Sequence, residues 1–396
     1  MPKHILYLSY DGLTDPLGQS QILPYIVGLS KQYGYHFSII SAEKAENFEA
    51  KKHLIEGQIK DLSISWQPII YTKKPPVLSK LWDLWKIRSK AKEILQKNPF
   101  QLIHARSYLS ALIALFFKKK YSIPFLFDMR GFWADERIDG GLWNLNNPLY
   151  KYIYRFFKKK EKQFLQEAAY TISLTHRAKE EIRTWQNCER LPIQVIPCCV
   201  DTDVFCPQTQ IPKNKDLTIS YLGSIGTWYM LEEMLIFYKE LLKTYPKAIF
   251  SFITTENPDF ILQQAQKLDL PLAQIQIRKA NREQVPVFLA ESHFSIFFIK
   301  DAYSKKASSA TKMAEILAMG IPIIANDIGD HQFLAQKYNF GKILEKLDGS
   351  AMQEAIGDLP NILQLSPLSL RNIAEEYFDL QKGVDLYKNV YEKCLP

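Results

Sequence analysis

Paired cysteines, long apolar runs and metal-ligand spacings are all missing from this sequence, and each absence removes a class of protein. The five cysteines (Cys188, Cys198, Cys199, Cys206 and Cys394) are odd in number and form no C-x-x-C pair. That excludes a disulfide framework or a thiolate zinc site and fits a reducing compartment. No stretch reaches the roughly 18 apolar residues needed to span a bilayer. The start, Met1-Pro2-Lys3-His4, enters an apolar segment without the h-region of a signal peptide. A cytoplasmic chain is therefore expected. No low-complexity segment or repeat is visible, so solenoids and fibrous architectures drop out. G-x-G-x-x-G is absent, which weakens a nicotinamide-dependent oxidoreductase. The pair Asp201-x-Asp203 falls in a polar stretch and reads as a turn, so no essential metal is expected.

What is present is a globular composition with many aromatics: 23 Phe, 21 Tyr and 7 Trp in 396 residues. That length exceeds one ordinary core and implies two domains. Charge is uneven, with 30 Lys/Arg against 20 Asp/Glu in residues 1–206 and 20 against 22 in the remainder. A basic first half suits a phosphate-bearing partner such as anionic lipid or a polyprenyl-phosphate-linked acceptor, or it is simply a set of well-solvated lysine-rich helices. The runs Lys118–Lys120 and Lys158–Lys160 beside Phe116, Phe117, Phe156 and Phe157 fit peripheral contact with an anionic membrane, unless those aromatics belong to the core.

Short apolar runs alternate with helical patterns along the chain. His4–Tyr10, Phe37–Ser41, Gln67–Tyr71, Leu102–Ala105, Pro124–Asp128, Thr171–Leu174 and Gln194–Pro197 read as strands, with helices such as Gln21–Gln32 and Pro148–Ala168 between them. After the polar stretch Val200–Asp216 the alternation restarts with Leu217–Leu222, Ile249–Thr254, Ile275–Arg278, Phe294–Phe298 and Ile321–Ala325. This order predicts βαβ units and parallel sheets. The expected layout is a domain over 1–206, a second over 207–375, and a closing helical segment over 376–396 broken near Phe378-Asp379-Leu380. Ligands of such sheets bind at the carboxyl ends of the strands, here in a cleft between the domains.

Three loops carry the chemistry. The loop Asp11–Gln21 leads into the first helix, where backbone N–H groups and the helix dipole favour an anion. Gly18 would let the backbone approach a diphosphate, the alternative being an ordinary βα turn. Asp128–Asp139, at a strand end, crowds Arg130, Asp135, Glu136 and Arg137 with Phe132 and Trp133. Its carboxylates and guanidinium suit sugar hydroxyls or a phosphate and Trp133 suits an apolar sugar face, the alternative being a salt-bridged cap. In Ser304–Asp330, small polar residues precede a helix with Lys312 and Glu315 at i, i+3 on one face. Lys312 and the helix N-terminus suit a diphosphate, and Glu315 suits ribose hydroxyls. Alternatively Ser308 or Ser309 merely caps the helix. Lys300 ends the preceding strand, and Lys300, Lys305 or Arg130 can add positive charge. His104, His176 and His331 are weaker candidates.

Together DGLTDPLGQSQ, HARSY (104–108), FDMRGFWADER (127–137), YLGSIGTWY (221–229), SSATKMAEILAMGIPIIAN (308–326) and YFDLQKGVDLYKNVYEKCL resemble the family 4 glycosyltransferases. The resemblance implies the GT-B fold, an α/β architecture of two Rossmann-like doubly wound domains facing each other across a cleft, with the last helix crossing back to the first. It further implies transfer of a sugar from a nucleotide diphosphate with retention, without a metal or separate cofactor, to a glycan or polyprenyl-linked acceptor. No nucleic-acid partner is expected. By position, Gly18 would lie against the donor diphosphate, Thr311 and Lys312 near its phosphates and Glu315 at the ribose. Gly223, Ser224, Lys300, Lys305 and Ser309 are further donor-binding candidates. Lys312, Arg130 and Asp128 would serve catalysis, and Arg106, Trp133 and Glu136 the acceptor. The family usually has a second glutamate eight positions before Glu315, where this chain has Ala307, and an Arg and a Lys where it has Gly223–Thr227. These departures leave room for a non-catalytic sugar-nucleotide-binding or scaffold protein of the same fold.

Overall fold

The computed structural model describes residues 3–75 and 78–395. The chain divides into two compact units, one running to Pro197 and resuming at Leu380, the other Cys198–Asp379. Each is a wholly parallel sheet with helical crossovers, as the alternating pattern predicts. In the first unit the strands are β1 (His4–Ser9), β2 (His36–Glu43), β3 (Ile64–Ile70), β4 (Leu102–Arg106), β5 (Phe125–Asp128), β6 (Tyr170–Ser173) and β7 (Ile193–Val195), in spatial order 3-2-1-4-5-6-7. In the second they are β8 (Thr218–Leu222), β9 (Ile249–Ile253), β10 (Ile275–Arg278), β11 (Phe294–Phe297), β12 (Ile323–Asn326) and β13 (Gly341–Leu344), in order 10-9-8-11-12-13. Strand order reverses beside β1 and beside β8. In open α/β sheets that reversal opens a crevice at the strands' carboxyl ends.

The central strands are buried along their whole length because helices cover both faces, which is why HILYLS and TISYL read as continuous rather than alternating patterns. The expected helix Gln21–Gln32 is two helices, Pro16–Gln21 and Leu23–Tyr33, broken at Ile22 (φ −125°, ψ −65°). The helix that presents Lys312 spans Thr311–Ala318. Among the described residues no helix is long and apolar enough to cross a membrane.

Residues 198–206, assigned from the sequence to the first domain, lie with the second unit. Val200 pairs with Asp379, and the Arg371 guanidinium donates to the carbonyls of Thr202 and Phe205. The closing helical segment breaks where expected. Pro367–Ile373 runs into a widened turn, Ala374–Phe378, the backbone extends at Asp379, and Leu380–Cys394 begins anew. This last helix belongs to the first unit, where it packs on Leu23–Tyr33. Tyr387 meets Tyr25 edge-on with centroids 5.4 Å apart, and Tyr391 meets Tyr35 at 5.3 Å. Tyr387 and Tyr391 are 3% and 0% exposed.

Ending the chain after Asp379 is therefore expected to destabilise the first unit by about 6–10 kcal/mol, the scale of two deleted core aromatics. Hydrogen exchange at β1, β4 and β5 checks this, and protection equal to that of the full chain would contradict it.

Candidate functional site

In the first unit the carboxyl ends of β1, β4 and β5 gather a buried polar cluster around Asp128. The Asp128 side chain is fully buried, and its Oδ2 accepts from Tyr387 Oη at 3.1 Å and lies 3.3 Å from His104 Nε2. Arg106 Nη1 lies 3.7 Å from the same oxygen, and Arg130 Nη1 lies 3.8 Å from Oδ1. Burial works to raise the Asp128 pKa, but Arg130, His104 and Arg106 outweigh it and hold the carboxyl at about 2. Asp128 is thus an anchor held in its ionised form at neutral pH. His104 Nδ1 lies 2.6 Å from Tyr391 Oη, so the last helix supplies a hydroxyl to each member of the His104–Asp128 pair. Burial lowers the His104 pKa.

Arg106, assigned above to the acceptor, is 2% exposed and spent inside the unit. Its Nε donates to Asp11 Oδ2 at 3.4 Å, and Nη1 to the Gln21 carbonyl at 3.5 Å. Arg130 is half-buried with its backbone in the left-handed region (φ 59°), a strained conformation for a residue with a Cβ. Trp133 stacks on Tyr108 (5.6 Å), meets Phe157 edge-on at 4.8 Å and carries the Arg137 guanidinium at 5.0 Å, so its ring is part of an aromatic core rather than an open platform. Glu136 is half-buried on the same short helix, Trp133–Asp139. Of the basic-aromatic runs, Phe117 and Phe157 are core, and Lys158 is held by Asp135 and Glu161.

The loop after β1 departs most from expectation. Its anion is the protein's own Glu43, at the end of β2. Glu43 accepts from Leu13 N at 2.7 Å, Thr14 N at 3.1 Å, and the hydroxyls of Thr14 and Ser41 at 2.5 Å each. Two of the loop's backbone donors, Leu13 N and Thr14 N, are thereby already satisfied. Gly18 is needed by the loop itself, since a Cβ there would stand 2.1 Å from the Gly12 carbonyl oxygen.

In the second unit the carboxyl ends of β8 and β11 face the start of the helix Thr311–Ala318. Lys312 is 6% exposed, and its Nζ stands 3.4 Å from the Tyr229 ring centroid and 4.2 Å from that of Tyr221. Its hydrogen bond runs to Tyr221 Oη at 3.1 Å, and that hydroxyl in turn donates to the Ser224 carbonyl at 2.6 Å. An ammonium has three donors and here meets one neutral acceptor. Burial pushes the Lys312 pKa well below its ordinary value, against the opposing pull of Glu315. Gly223 (φ 109°) borders the ammonium, and a Cβ there would come within 3.2 Å of Nζ. Ser224 is exposed and contributes its carbonyl.

Lys305 repeats the device, buried with Nζ 3.5 Å from the Trp228 ring centroid. Lys300 is exposed, and its backbone N–H donates to the Trp228 carbonyl at 2.8 Å, part of an antiparallel latch in which Tyr229 pairs with Ile299. Glu315 is 8% exposed and accepts from Arg282 Nη1 at 3.1 Å. Burial raises its pKa and Arg282 opposes the rise. Ser309 does not cap the helix, because its hydroxyl accepts from Cys198 N at 3.1 Å. The N-cap is Ala310, without a side-chain hydrogen bond, and half-buried Thr311 opens the helix. Among the described residues no group of three or more His, Cys, Asp or Glu side chains is arranged to hold a metal. Glu43, Tyr387, Tyr391, Arg282 and the cage aromatics Tyr221, Trp228 and Tyr229 went unread in the sequence as functional residues. Only the i, i+4 tyrosines of the last helix and the aromatic-rich YLGSIGTWY offered a signal.

Residues 28–204 match the sequence profile of Glycosyltransferase Family 4. The match covers most of the first unit. In fold, the chain is similar to sucrose-phosphate synthase from Thermosynechococcus elongatus (15% identity, 99% of this chain and 98% of that one, TM-score 0.73). It is also similar to Anabaena HepE in complex with UDP and glucose (12% identity, 98% and 99%, TM-score 0.66). A UDP-GlcNAc 2-epimerase from Neisseria meningitidis bound to UDP-GlcNAc shares the architecture too (14% identity, 99% and 100%, TM-score 0.60). No match was found among curated proteins. The architecture is thus GT-B, with two doubly wound parallel sheets.

Because Glu43 is the acceptor for Leu13 N and for Thr14 N and Oγ1, Glu43→Ala is expected to lower the stability of the first unit by about 2–4 kcal/mol, the scale of two or more buried groups losing their acceptor. Urea unfolding measures it, and a change within about 0.5 kcal/mol, as at an ordinary surface site, would contradict the assignment.

Proposed function

We propose that the protein transfers a sugar, with retention, from a nucleoside diphosphate donor to a glycan or lipid-linked saccharide, in the assembly of cell-surface polysaccharide or glycoconjugate. The observation that carries this reading is the buried, under-satisfied ammonium of Lys312 at the carboxyl edge of the second sheet. Departure of a nucleoside diphosphate builds charge on its β-phosphate, and a fixed cation in a dry site stabilises that charge far better than one in water. The uncapped N–H groups of the Thr311–Ala318 helix add to the same field. Lys305 and Lys300 enlarge the positive region, and Glu315, fixed by Arg282, is the acceptor for ribose hydroxyls. The UDP bound by Anabaena HepE and the UDP-GlcNAc bound by the Neisseria meningitidis epimerase support this class of donor.

In the first unit Asp128 and Arg130 orient the acceptor or the transferred sugar. With its pKa held at about 2, Asp128 is a poor proton acceptor and a good fixed charge for Arg130. No metal and no separate cofactor enters this scheme. In this reading the acceptor side works at the inner face of an anionic membrane, with the enzyme peripheral to it. A second reading, a sugar-nucleotide-binding protein without transferase activity, is favoured by Ala307 and by the lack of a basic residue in Gly223–Thr227. Donor protection without turnover on any saccharide acceptor would support that second reading.

A panel of nucleotide sugars scored by protection against thermal unfolding identifies the donor. Lys312→Met is expected to weaken donor binding and turnover by about a hundredfold or more, the cost of removing one such donor. Removing an unpaired buried charge also relieves its desolvation, so the same variant should unfold about 2–4 °C higher, a gain on the order of 1 kcal/mol. Unchanged turnover, or a lower unfolding temperature with normal binding, would remove Lys312 from the site.

Binding is also expected to take up protons. The free Lys312 pKa is depressed and a bound diphosphate raises it, so affinity falls as pH rises through the interval between the two values. Calorimetry in buffers of different ionisation enthalpy reads the uptake, and proton release would contradict it.

A further inference from the structure

The helix Leu78–Lys97 packs against β2, β3 and the helix Ser107–Tyr121, yet its outer face is apolar at one end. Leu78, Leu81, Trp82 and Trp85 are 64%, 58%, 53% and 57% exposed, and the two indoles stack with centroids 4.8 Å apart and planes at 17°. Four large apolar side chains on one turn-spaced stripe gain nothing from water and are not needed by the core beneath, which is built from Ile87, Ala91 and Ile94.

Next to this stripe lies a surplus of positive charge. The Phe116 ring carries the Arg88 guanidinium at 3.5 Å, Lys92 Nζ at 5.5 Å and Lys120 Nζ at 5.9 Å. The acidic groups of the helix are committed elsewhere. Asp83 is buried and holds Lys86 at 2.7 Å, and Glu93 holds Lys90 and Lys97. Among the described residues no carboxylate pairs with Arg88, Lys92, Lys119 or Lys120. The face is therefore tryptophan-rich and net cationic, and two copies of it would repel one another.

The stripe also has a fixed place. Asp83 accepts from Tyr10 Oη at 2.9 Å, from Thr72 N at 3.0 Å and from Thr72 Oγ1 at 2.7 Å. Those bonds tie the start of the helix to the carboxyl ends of β1 and β3, the sheet edge at which ligands of this architecture bind.

We infer that the exposed face of Leu78–Lys97, with Phe116, Lys119 and Lys120, is a docking surface for an anionic lipid bilayer. Trp82, Trp85, Leu78 and Leu81 enter the headgroup level, where indoles are favoured, and the basic residues meet lipid phosphates. Such a surface holds the edge of the first sheet against the membrane. It extends the reading of a lipid-linked acceptor but is tested without it.

The test is co-sedimentation of the full chain with vesicles of phosphatidylcholine alone and of phosphatidylcholine mixed with phosphatidylglycerol. The native protein is expected to bind the mixed vesicles and to release as salt is added. Trp82→Ser with Trp85→Ser is expected to lower partitioning at least about tenfold, by loss of apolar burial. Lys119→Gln with Lys120→Gln is expected to lower it about tenfold on the anionic vesicles only. Thermal protection by the nucleotide-sugar donor should persist in both variants, which shows that they fold and separates this inference from the donor reading. Absence of binding to the anionic vesicles, equal binding to neutral ones, or unaltered binding by the tryptophan variant overturns it. So does a native dimer that the tryptophan substitutions convert to a monomer without any lipid binding.

Discussion

A buried lysine ammonium, resting on tyrosine rings with one neutral oxygen as partner, sets the terms for the second unit. Lys312 costs free energy where it stands, because burial favours its neutral form and a lone tyrosine hydroxyl does not restore what water supplied. The surroundings make sense as means of keeping it there. Tyr221 is oriented by the Ser224 carbonyl so that its oxygen faces the lysine, Tyr229 offers a ring face, and Gly223 leaves space beside Nζ. The loop after β8 has no basic residue of its own, and its aromatics instead hold Lys305 and Lys312, which arrive from the other side of the switch point.

The first unit treats charge in the opposite way. Glu43 and Asp128 are buried anions with several partners each, and the structure leans on them. Asp128, with its pKa depressed to about 2, contributes stability that is complete above the ordinary carboxylate range and fades as pH falls toward that value. The last helix takes part directly, since Tyr387 and Tyr391 close the Asp128–His104 pair. The buried cation of the second unit thus has one neutral acceptor, whereas the buried anions of the first each face several donors or cations.

Much of the fold was legible because burial on both faces leaves a plain signature: apolar runs such as HILYLS and TISYL at βα spacing, and a break at Phe378-Asp379-Leu380. The family resemblance carried the two-sheet architecture and the return of the last helix. Contacts distant in sequence were not legible. Glu43 lies at a strand end far from Leu13 and Thr14 in the chain, so its claim on the N–H groups of those two loop residues could not be read from the sequence. Trp133 and Arg106 have the chemistry of a sugar site, yet packing on Tyr108 and the reach of Asp11 and Asp128 absorb them. Ser309 resembled a helix cap, but Cys198 N claims its hydroxyl. Lys312 and Glu315 stood out at i, i+3. The burial that makes the lysine reactive toward an anion came from Tyr221 and Tyr229, whose distance in sequence hides it.

The central claim is that this ammonium awaits a diphosphate, and a crystal structure with a nucleoside diphosphate bound tests it most directly. The account predicts a phosphate oxygen at about 2.7–2.9 Å from Lys312 Nζ, the distance of a charge-assisted hydrogen bond. A diphosphate seated elsewhere, with Nζ still turned to the Tyr221 hydroxyl alone, would contradict it.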